Sequence, residues 1–416
     1  MVIVFAVLAL VVLVTANWYL WRRLFRDTTS GPGWVRRTGA AVVAGGWLLA
    51  IGALVGERTG APFWLQQVLA WPGFLWLALS IYLLVGVVAG EAVRPLLRRF
   101  LERRDRRNAP VAAVEVAVPR PEPVPAGAAP EEPAEPASPR LLAAPSRRLF
   151  VSRVVGGAAA AAAVGTVGYG TYGVLRGPRV KRVTVPLAKL PRAAHGFRIA
   201  VVSDIHLGPV LGRGFAQTVV DTINSTQPDL VAVVGDLVDG SVKDLGPAAA
   251  PLAHLKAPAY FVTGNHEYFS GAEQWVEEVR RLGLLPLENT RTELPWFDLA
   301  GVNDIAGESE GQGPDFAKAL GDRDTTRACV LLAHQPVQIH DAVDHGVDLQ
   351  LSGHTHGGQL WPGNFLAEAA NPTVAGLDRY GDTQLYVSRG AGAWGPPTRV
   401  GAPSDITVIK LASRQA

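Results

Sequence analysis

Long apolar runs alternate with clusters of arginine in the first hundred residues of this 416-residue chain. Residues 2–20, 38–55 and about 71–88 are each long and apolar enough to cross a bilayer. Arginines follow the first run, precede the second and are densest after the third, from Arg94 to Arg107. Because positive charge is retained on the cytoplasmic side, the pattern predicts three transmembrane helices, an external N-terminus and a membrane domain of residues 1–107.

Two further segments separate this region from the rest of the chain. Residues 108–145 are rich in proline, alanine and glutamate, which predicts a disordered cytoplasmic linker. Residues 146–182 contain a Gly/Ala-rich apolar run preceded by Arg147, Arg148 and Phe150. This flank resembles a twin-arginine export signal, and an ordinary fourth transmembrane helix is the alternative. If the run crosses the membrane, residues 183–416 lie outside the cytoplasm; if it does not, they are cytoplasmic.

From residue 183 onward, short apolar runs rich in β-branched residues each end at a polar motif. Strands buried on both faces have such continuous apolar sequences, and ligands collect beyond their carboxyl ends. The pattern therefore predicts an α/β domain over residues 183–416. Helices are expected at residues 215–224, 246–255, 272–282 and 336–344. Besides the three runs before the first motifs, strands are expected at residues 296–302, 328–333, 349–352, 384–388 and 406–411.

Charge and cysteine content bear on two questions, namely nucleic-acid binding and disulfide formation. The net charge of +3 could indicate nucleic acid, but the arginines cluster beside the apolar runs, where they set membrane topology instead. The single cysteine, Cys329, excludes an intrachain disulfide and is expected to be a small buried residue. We therefore expect a membrane protein that does not bind nucleic acid.

Five motifs carry the chemistry, and each follows an apolar run: SDIHLG, GDLVDG, GNHE, AHQP and GHTH. Together they supply carboxylate, imidazole and amide groups that can bind a hard or borderline cation. These candidate ligands are Asp204, His206, Asp236, Asn265, His334, His354 and His356. Mixed oxygen and nitrogen ligation without cysteine suits Mn, Fe or Zn.

The five motifs resemble those of the calcineurin-like metallophosphoesterases, which are D-x-H, G-D, G-N-H-[ED], an isolated His and G-H-x-H. The resemblance covers about residues 195–411 and implies a four-layer αββα sandwich that binds two divalent metal ions (Mn, Fe or Zn). It also implies how the ligands divide. Asp204, His206 and His356 would bind the first metal, Asn265, His334 and His354 the second, and Asp236 would bridge the two.

The same resemblance implies that His266 faces the substrate, where it stabilises the phosphoryl oxygens or protonates the leaving group. Asp239 matches an acidic residue that orients this histidine in some members, and a loop-capping role is the alternative. Two divalent cations have a total charge of about +4, and the two aspartates contribute a charge of −2. The remaining positive charge attracts phosphate. A water shared by the metals becomes hydroxide near neutral pH, so no protein nucleophile is needed.

These features predict a membrane-anchored two-metal phosphoesterase that hydrolyses a phosphomonoester, phosphodiester or pyrophosphate bond. Membrane attachment makes a lipid-linked phosphate one candidate substrate. Arg389, Arg399, Trp361 and Trp394 are candidate contacts for its non-reacting part, with ordinary loop packing as the alternative. A catalytically silent, metal-stabilised scaffold protein is the second hypothesis. Transport is weaker, because the spans lack charged residues that would mark an ion path, apart from Glu91 near an end.

Overall fold

The computed structural model describes residues 2–108 and 146–415, of which residues 2, 3, 5, 6, 9 and 108 are described by their backbone alone. By their contacts these residues form two compact units. One unit comprises Met1–Ala41 and Leu83–Ala161, and the other comprises Val42–Tyr82 and Ala162–Ala416. The predicted linker, residues 108–145, lies outside the described residues except at its first position, where a helix ends.

Four long helices occupy the N-terminal part: α1 (Val2–Trp21), α2 (Trp34–Arg58), α3 (Phe63–Asn108) and α4 (Arg147–Leu175). Within the part of the chain that the structure describes, α2, α3 and α4 are long and apolar enough to span a membrane. The first predicted span coincides with α1, several of whose side chains lie outside the described residues. Glu91, which the sequence places near the end of the third span, pairs with Arg23 at 2.8 Å.

Between Arg179 and Ser413 the chain forms two six-stranded sheets. Their strands are β1 (Arg179–Leu187), β2 (Arg198–Val202), β3 (Leu230–Val234), β4 (Ala259–Val262), β5 (Leu285–Pro286), β6 (Thr290–Glu293), β7 (Phe297–Gly301), β8 (Ala328–Leu332), β9 (Leu349–Ser352), β10 (Gly376–Tyr380), β11 (Thr383–Val387) and β12 (Asp405–Ser413). The first sheet has the order β1-β12-β2-β3-β4-β5 and the second β10-β11-β9-β8-β7-β6. Strands β2 to β5 are mutually parallel, as are β7, β8, β9 and β11.

The remaining helices are short: α5 (Arg213–Ser225), α6 (Val242–Ala249), α7 (Asn265–Ser270), α8 (Ala272–Arg281), α9 (Phe316–Leu320), α10 (Ile339–Asp344) and α11 (Asn364–Ala370). Single 3₁₀ turns lie at Arg192–Ala194, Ala250–His254, Ile305–Glu310, Pro336–Gln338 and His356–Gly358, and a π-helical turn lies at Arg22–Arg26.

Three layers of apolar contacts hold these elements together. Side chains of both sheets, such as Val201 and Leu351, pack face to face in one buried cluster. The outer face of the first sheet packs against α5, α6 and α8, where Trp275 is fully buried. The outer face of the second sheet packs against α9 and α10, through residues such as Ile339. Because each such side chain contributes about 1.5–3 kcal/mol when buried, these layers stabilise the αββα sandwich that the motifs implied.

Within residues 183–416, most predicted elements agree with the structure to within one or two residues. The second and third predicted spans, residues 38–55 and about 71–88, are parts of the longer helices α2 and α3. The helix predicted at residues 336–344 is α-helical only from Ile339 onward. The helix expected at residues 246–255 begins instead at Val242, after Ser241, whose side chain accepts a hydrogen bond from the Asp244 amide. It gives way to a 3₁₀ turn at Ala250. The globular fold also begins before residue 183, because β1 starts at Arg179 and pairs with β12 along its whole length.

Candidate metal centre

All seven predicted ligands lie just beyond the carboxyl ends of parallel strands. Asp204, Asp236 and Asn265 follow β2, β3 and β4 in the first sheet, with His206 two residues further on. His334 and His354 follow β8 and β9 in the second sheet, and His356 shares the loop of His354. Because parallel strands end at one edge of a sheet, and the two sheets pack face to face, these loops meet.

The first group of ligands is Asp204, His206 and His356. The His206 and His356 Nε2 atoms are 3.0 Å apart, and Asp204 Oδ1 lies 3.4 Å from His356 Nε2. All three side chains are buried, and their ligand atoms lie within 4.8 Å of one another. Two ring nitrogens and a carboxylate oxygen this close together would be able to bind one cation.

The second group is Asp236, His334 and His354, whose ligand atoms also lie within 4.8 Å of one another. The Asn265 side-chain oxygen joins this group, 3.0 Å from His354 Nδ1. One oxygen of Asp236 connects the two groups, since its Oδ2 is 3.1 Å from His334 Nε2 and 3.8 Å from His206 Nε2. The predicted ligands thus lie in two neighbouring groups joined by Asp236.

The donor set fits divalent cations, and His334 shows this most clearly. Its Nδ1 lies 2.8 Å from the Val234 carbonyl, to which it must donate a proton. In the neutral ring Nε2 therefore carries the lone pair, and this buried atom has no hydrogen-bond partner. The nearby Asp236 oxygen is close enough for an ion pair, but it is not aligned as a hydrogen-bond acceptor. A buried nitrogen lone pair beside carboxylates is the environment of a metal ligand.

Charge in the site also favours a cation. Burial alone would raise the pKa of Asp236, but the charge of His334 holds it well below its usual value. Burial alone would lower the pKa of His334, whereas Asp236 and Asp204 raise it well above its usual value. Burial and the charge of His334 lower the pKa of His354 to about 4, so His354 is neutral at pH 7 and offers a lone pair.

His266, the predicted substrate-facing residue, lies beside the two groups of predicted ligands. Its Nδ1 is 2.7 Å from Asp239 Oδ1. The same oxygen is 2.8 Å from His206 Nδ1. Asp239 thus contacts the predicted catalytic histidine, as the orienting role requires, and it also contacts one of the predicted ligands. Burial lowers the pKa of His266, but the hydrogen bond and charge of Asp239 outweigh this and raise it to about 9.

Backbone strain is concentrated at the site. Five of the eight described non-glycine residues with positive φ are predicted ligands, namely Asp204, His206, Asp236, His354 and His356. Left-handed backbone is unfavourable for residues with a Cβ and persists where surrounding contacts require it. The strain is consistent with loops shaped to aim these side chains at common points.

No role was predicted for Glu267, although it lies within the GNHE motif. Its fully buried carboxylate accepts hydrogen bonds from the Asp236, Leu237 and Gly264 amides at 2.9, 2.8 and 2.6 Å. It therefore joins the loop after β3 to the loop after β4. Burial and the nearby charge of Asp236 raise the pKa of Glu267 to about 7.

The four candidate substrate contacts are not equivalent. Arg399 is buried and donates hydrogen bonds to the His356, Gly392 and Ala402 carbonyls, so it packs within the loops as the alternative interpretation held. Trp394 lies beside His266, with ring centroids 5.8 Å apart. Trp361 and Arg389 line a separate cavity of about 300 Å³ next to Gly357. Cys329 is fully buried, as predicted.

Comparison with known proteins identifies similar sequences. The sequence pattern of the family described as Calcineurin-like phosphoesterase matches residues 197–358. A zebrafish (Danio rerio) "transmembrane protein with metallophosphoesterase domain" is 40% identical over 260 residues, covering 58% of this chain and 59% of that protein. An uncharacterized metallophosphoesterase of Aquifex aeolicus is 34% identical over 243 residues, covering 57% of this chain and 92% of that protein.

A third similar protein is the uncharacterized metallophosphoesterase YkuE of Bacillus subtilis. It is 30% identical over 285 residues, which cover 64% of this chain and 98% of that protein. The chain thus spans nearly all of the two shorter relatives but only about three fifths of the zebrafish protein.

Proposed function

Since the chain belongs to the calcineurin-like phosphoesterase family, we propose that it is a membrane-attached enzyme that hydrolyses a phosphate ester with two divalent metal ions. The observation that carries this proposal is the position of Asp236 Oδ2 between His334 of one ligand group and His206 of the other. A carboxylate oxygen shared by two sets of ligands is what a dinuclear site requires.

The residues of the chain have separate tasks in this proposal. Asp204, His206 and His356 would hold one cation and Asn265, His334 and His354 the other, and Asp236 would contribute to both. When bound, the cations supply positive charge for the phosphate and lower the pKa of a bound water. His266 is protonated at pH 7 because of Asp239, so its ring can donate a proton to the leaving-group oxygen. The ligand types suit Mn, Fe or Zn.

Three substitutions test the proposal in the full-length protein. We expect Asp236→Ala and His354→Ala to lose both bound metal and hydrolysis of 4-nitrophenyl phosphate. His266→Ala should keep its metal while turnover of an alkyl phosphate, whose alkoxide leaving group needs a proton, falls about 10²–10⁴-fold, the usual contribution of general acid catalysis. His195→Ala removes an exposed histidine of the same domain and serves as the control. Full activity in both ligand variants would refute the proposal, and a metal-loaded protein inactive on many phosphoesters would favour the scaffold hypothesis.

A lipid-linked phosphate is the substrate class we favour, supported by the three helices long and apolar enough to span a membrane. Comparing hydrolysis of detergent-dispersed lipid phosphates with that of soluble nucleotides tests this choice. A strong preference for the nucleotides would exclude it.

We further propose a multi-pass protein of the cell membrane whose metal centre lies outside the cytoplasm. The arginine positions support this topology, and the zebrafish relative is itself described as a transmembrane protein. Export through the twin-arginine route is proposed from Arg147 and Arg148 at the start of α4. External protease added to intact cells should cleave the C-terminal domain, and protection of that domain would contradict the topology.

A further inference from the structure

A cavity of about 250 Å³ opens beside His266, and two distant parts of the chain line it. The sandwich contributes His266, Phe269 and Trp394, while the C-terminal end of α2 contributes Leu54, Glu57 and Arg58. Because His266 is the proposed proton donor to the leaving group, the space next to its ring is where the leaving group would lie. The end of α2 would therefore contact the part of the substrate that departs.

Apolar packing holds the end of α2 in this position. Ala53 of α2 and Ala70 and Phe74 of α3 form a buried cluster, against which Val210 of the sandwich packs. Phe74 also approaches the loop that carries Trp394, since a Cβ added to Gly395 would lie 4.0 Å from its ring. The wall contributed by α2 is thus part of the folded unit that contains the metal centre.

The two aromatic side chains of the cavity are available to a ligand. The ring of His266 makes edge-on contacts with Phe269 and Trp394, at centroid distances of 5.4 and 5.8 Å. Phe269 is nevertheless 68% exposed and Trp394 is 42% exposed. Large apolar rings that remain exposed beside a catalytic histidine provide a contact surface for the carbon skeleton of an alcohol.

Four charged groups line the cavity, and two of them, Asp239 and His266, pair with each other at 2.7 Å. Glu57 is half-buried and, among the described residues, lies within ion-pair distance of no lysine or arginine side chain. Arg58 is exposed, and its guanidinium lies 5.9 Å from the centre of the Phe269 ring. Water screens an exposed charge more strongly than a half-buried one, so the charge of Glu57 is screened less than that of Arg58.

We propose that α2 completes a leaving-group pocket and that Glu57 selects for neutral or cationic alcohols over anionic leaving groups. This inference rests on the proposed function. In the reaction, water adds to phosphorus, the bond between phosphorus and the leaving oxygen breaks, and that oxygen takes a proton from His266. An alcohol bearing hydroxyl or ammonium groups can donate hydrogen bonds to Glu57. The departing phosphate of a pyrophosphate bond is repelled by it.

The test compares three leaving groups in the full-length, metal-loaded protein. Ethanolamine phosphate has a cationic leaving group, and inorganic pyrophosphate has an anionic leaving group. The leaving group of 4-nitrophenyl phosphate contains neither an ammonium group nor a second phosphate. Relative to 4-nitrophenyl phosphate, Glu57→Gln should raise kcat/KM for pyrophosphate about fivefold and lower it about fivefold for ethanolamine phosphate. Glu57→Lys should move both ratios further in the same directions. If pyrophosphate is not turned over, its inhibition constant should fall by the same factor.

Glu277→Gln, which removes an exposed carboxylate from α8, is the matched control and should leave all three values unchanged. Equal changes for all three substrates in the Glu57 variants would show a purely structural role and overturn the inference. Unchanged ratios in both variants would also overturn it, while the proposed function would stand. If the metal-loaded wild-type protein hydrolysed none of the three substrates or any other phosphoester, the proposed function itself would fail.

Discussion

A single oxygen atom, Asp239 Oδ1, contacts both the metal-binding and the proton-donating parts of the site. It lies 2.8 Å from Nδ1 of His206 and 2.7 Å from Nδ1 of His266. The first contact leaves Nε2 of His206 free to bind a cation, and the second raises the proton affinity of His266. Asp239 is thus a positioning residue for two histidines with different tasks.

The effect of Asp239 on His266 can be tested through the pH dependence of hydrolysis. The pKa of His266 is raised to about 9, so the protonated donor is present at pH 7 and is lost above that value. Asp239→Asn removes the charge while burial continues to lower the pKa. The basic limb of the kcat/KM profile, measured at saturating metal, should therefore move to lower pH by about one unit or more.

Asp382→Asn, at a fully exposed aspartate, should leave that profile unchanged. A basic limb at the same pH in the Asp239→Asn protein would show that the acid group in turnover is another residue.

At the scale of single residues, the sequence identified the Asp, His and Asn side chains that the fold brings close together, because ordered motifs of these residues are recognisable. Glu267 could not be identified in this way, since its task is to accept three backbone N–H groups from two loops that are distant in sequence. Nor could Glu57, which lies just after the second predicted span, 147 positions before Asp204. Only the packing of α3 against the sandwich brings it to His266.

At the scale of elements, the site depends on the close approach of the loops that follow β3 and β4. Gly264 occupies this contact: a Cβ at its position would meet the Asp236 carboxylate and lie 2.6 Å from the Asp236 amide nitrogen. Since these are a predicted ligand and backbone, the conflict cannot be relieved by turning a flexible side chain away. Glycine is required because there is no room for a Cβ atom, since its φ of −106° is accessible to other residues.

Gly264→Ala tests this geometry. The substitution should displace Asp236, so we expect bound metal and hydrolysis to fall together, with activity reduced at least about tenfold. Gly214→Ala is the matched control, because a Cβ there meets nothing within 4 Å on an exposed turn of α5. Replacing a helical glycine by alanine should stabilise that variant by about 0.5–1 kcal/mol. Normal metal content in Gly264→Ala would show that the loops can separate without harm.

Elements were predictable where hydrophobic runs were continuous, as in β9, whose bounds match the prediction at both ends. The pattern failed at β1, because Arg179, Lys181 and Arg182 resemble the charged flank of a membrane span. Pairing with β12 along nine residues, rather than local sequence, makes this segment a strand. The predicted start of α6 was wrong for a local reason. The prediction followed the apolar residues after Ser241 and did not use Ser241 as the N-terminal cap.

At the scale of the whole molecule, the sequence predicted a membrane domain separate from a globular domain, and the contacts divide the chain differently. Val42–Tyr82, which includes parts of two candidate spans, belongs to the same compact unit as the metal centre. Apolar helices that face lipid and apolar helices that face protein have similar sequences, so hydropathy alone could not distinguish them. The order of the five motifs gave the ligands, but only the folded chain gives the two groups and their shared aspartate.

The central claim is that these residues bind two cations that act together. The most direct measurement titrates the metal-free, full-length protein with Mn²⁺ or Zn²⁺ and follows bound metal and hydrolysis of 4-nitrophenyl phosphate in the same samples. We expect binding to saturate at two ions per chain and most activity to appear with the second ion. Saturation at one ion per chain, or full hydrolysis by the metal-free protein, would contradict the account.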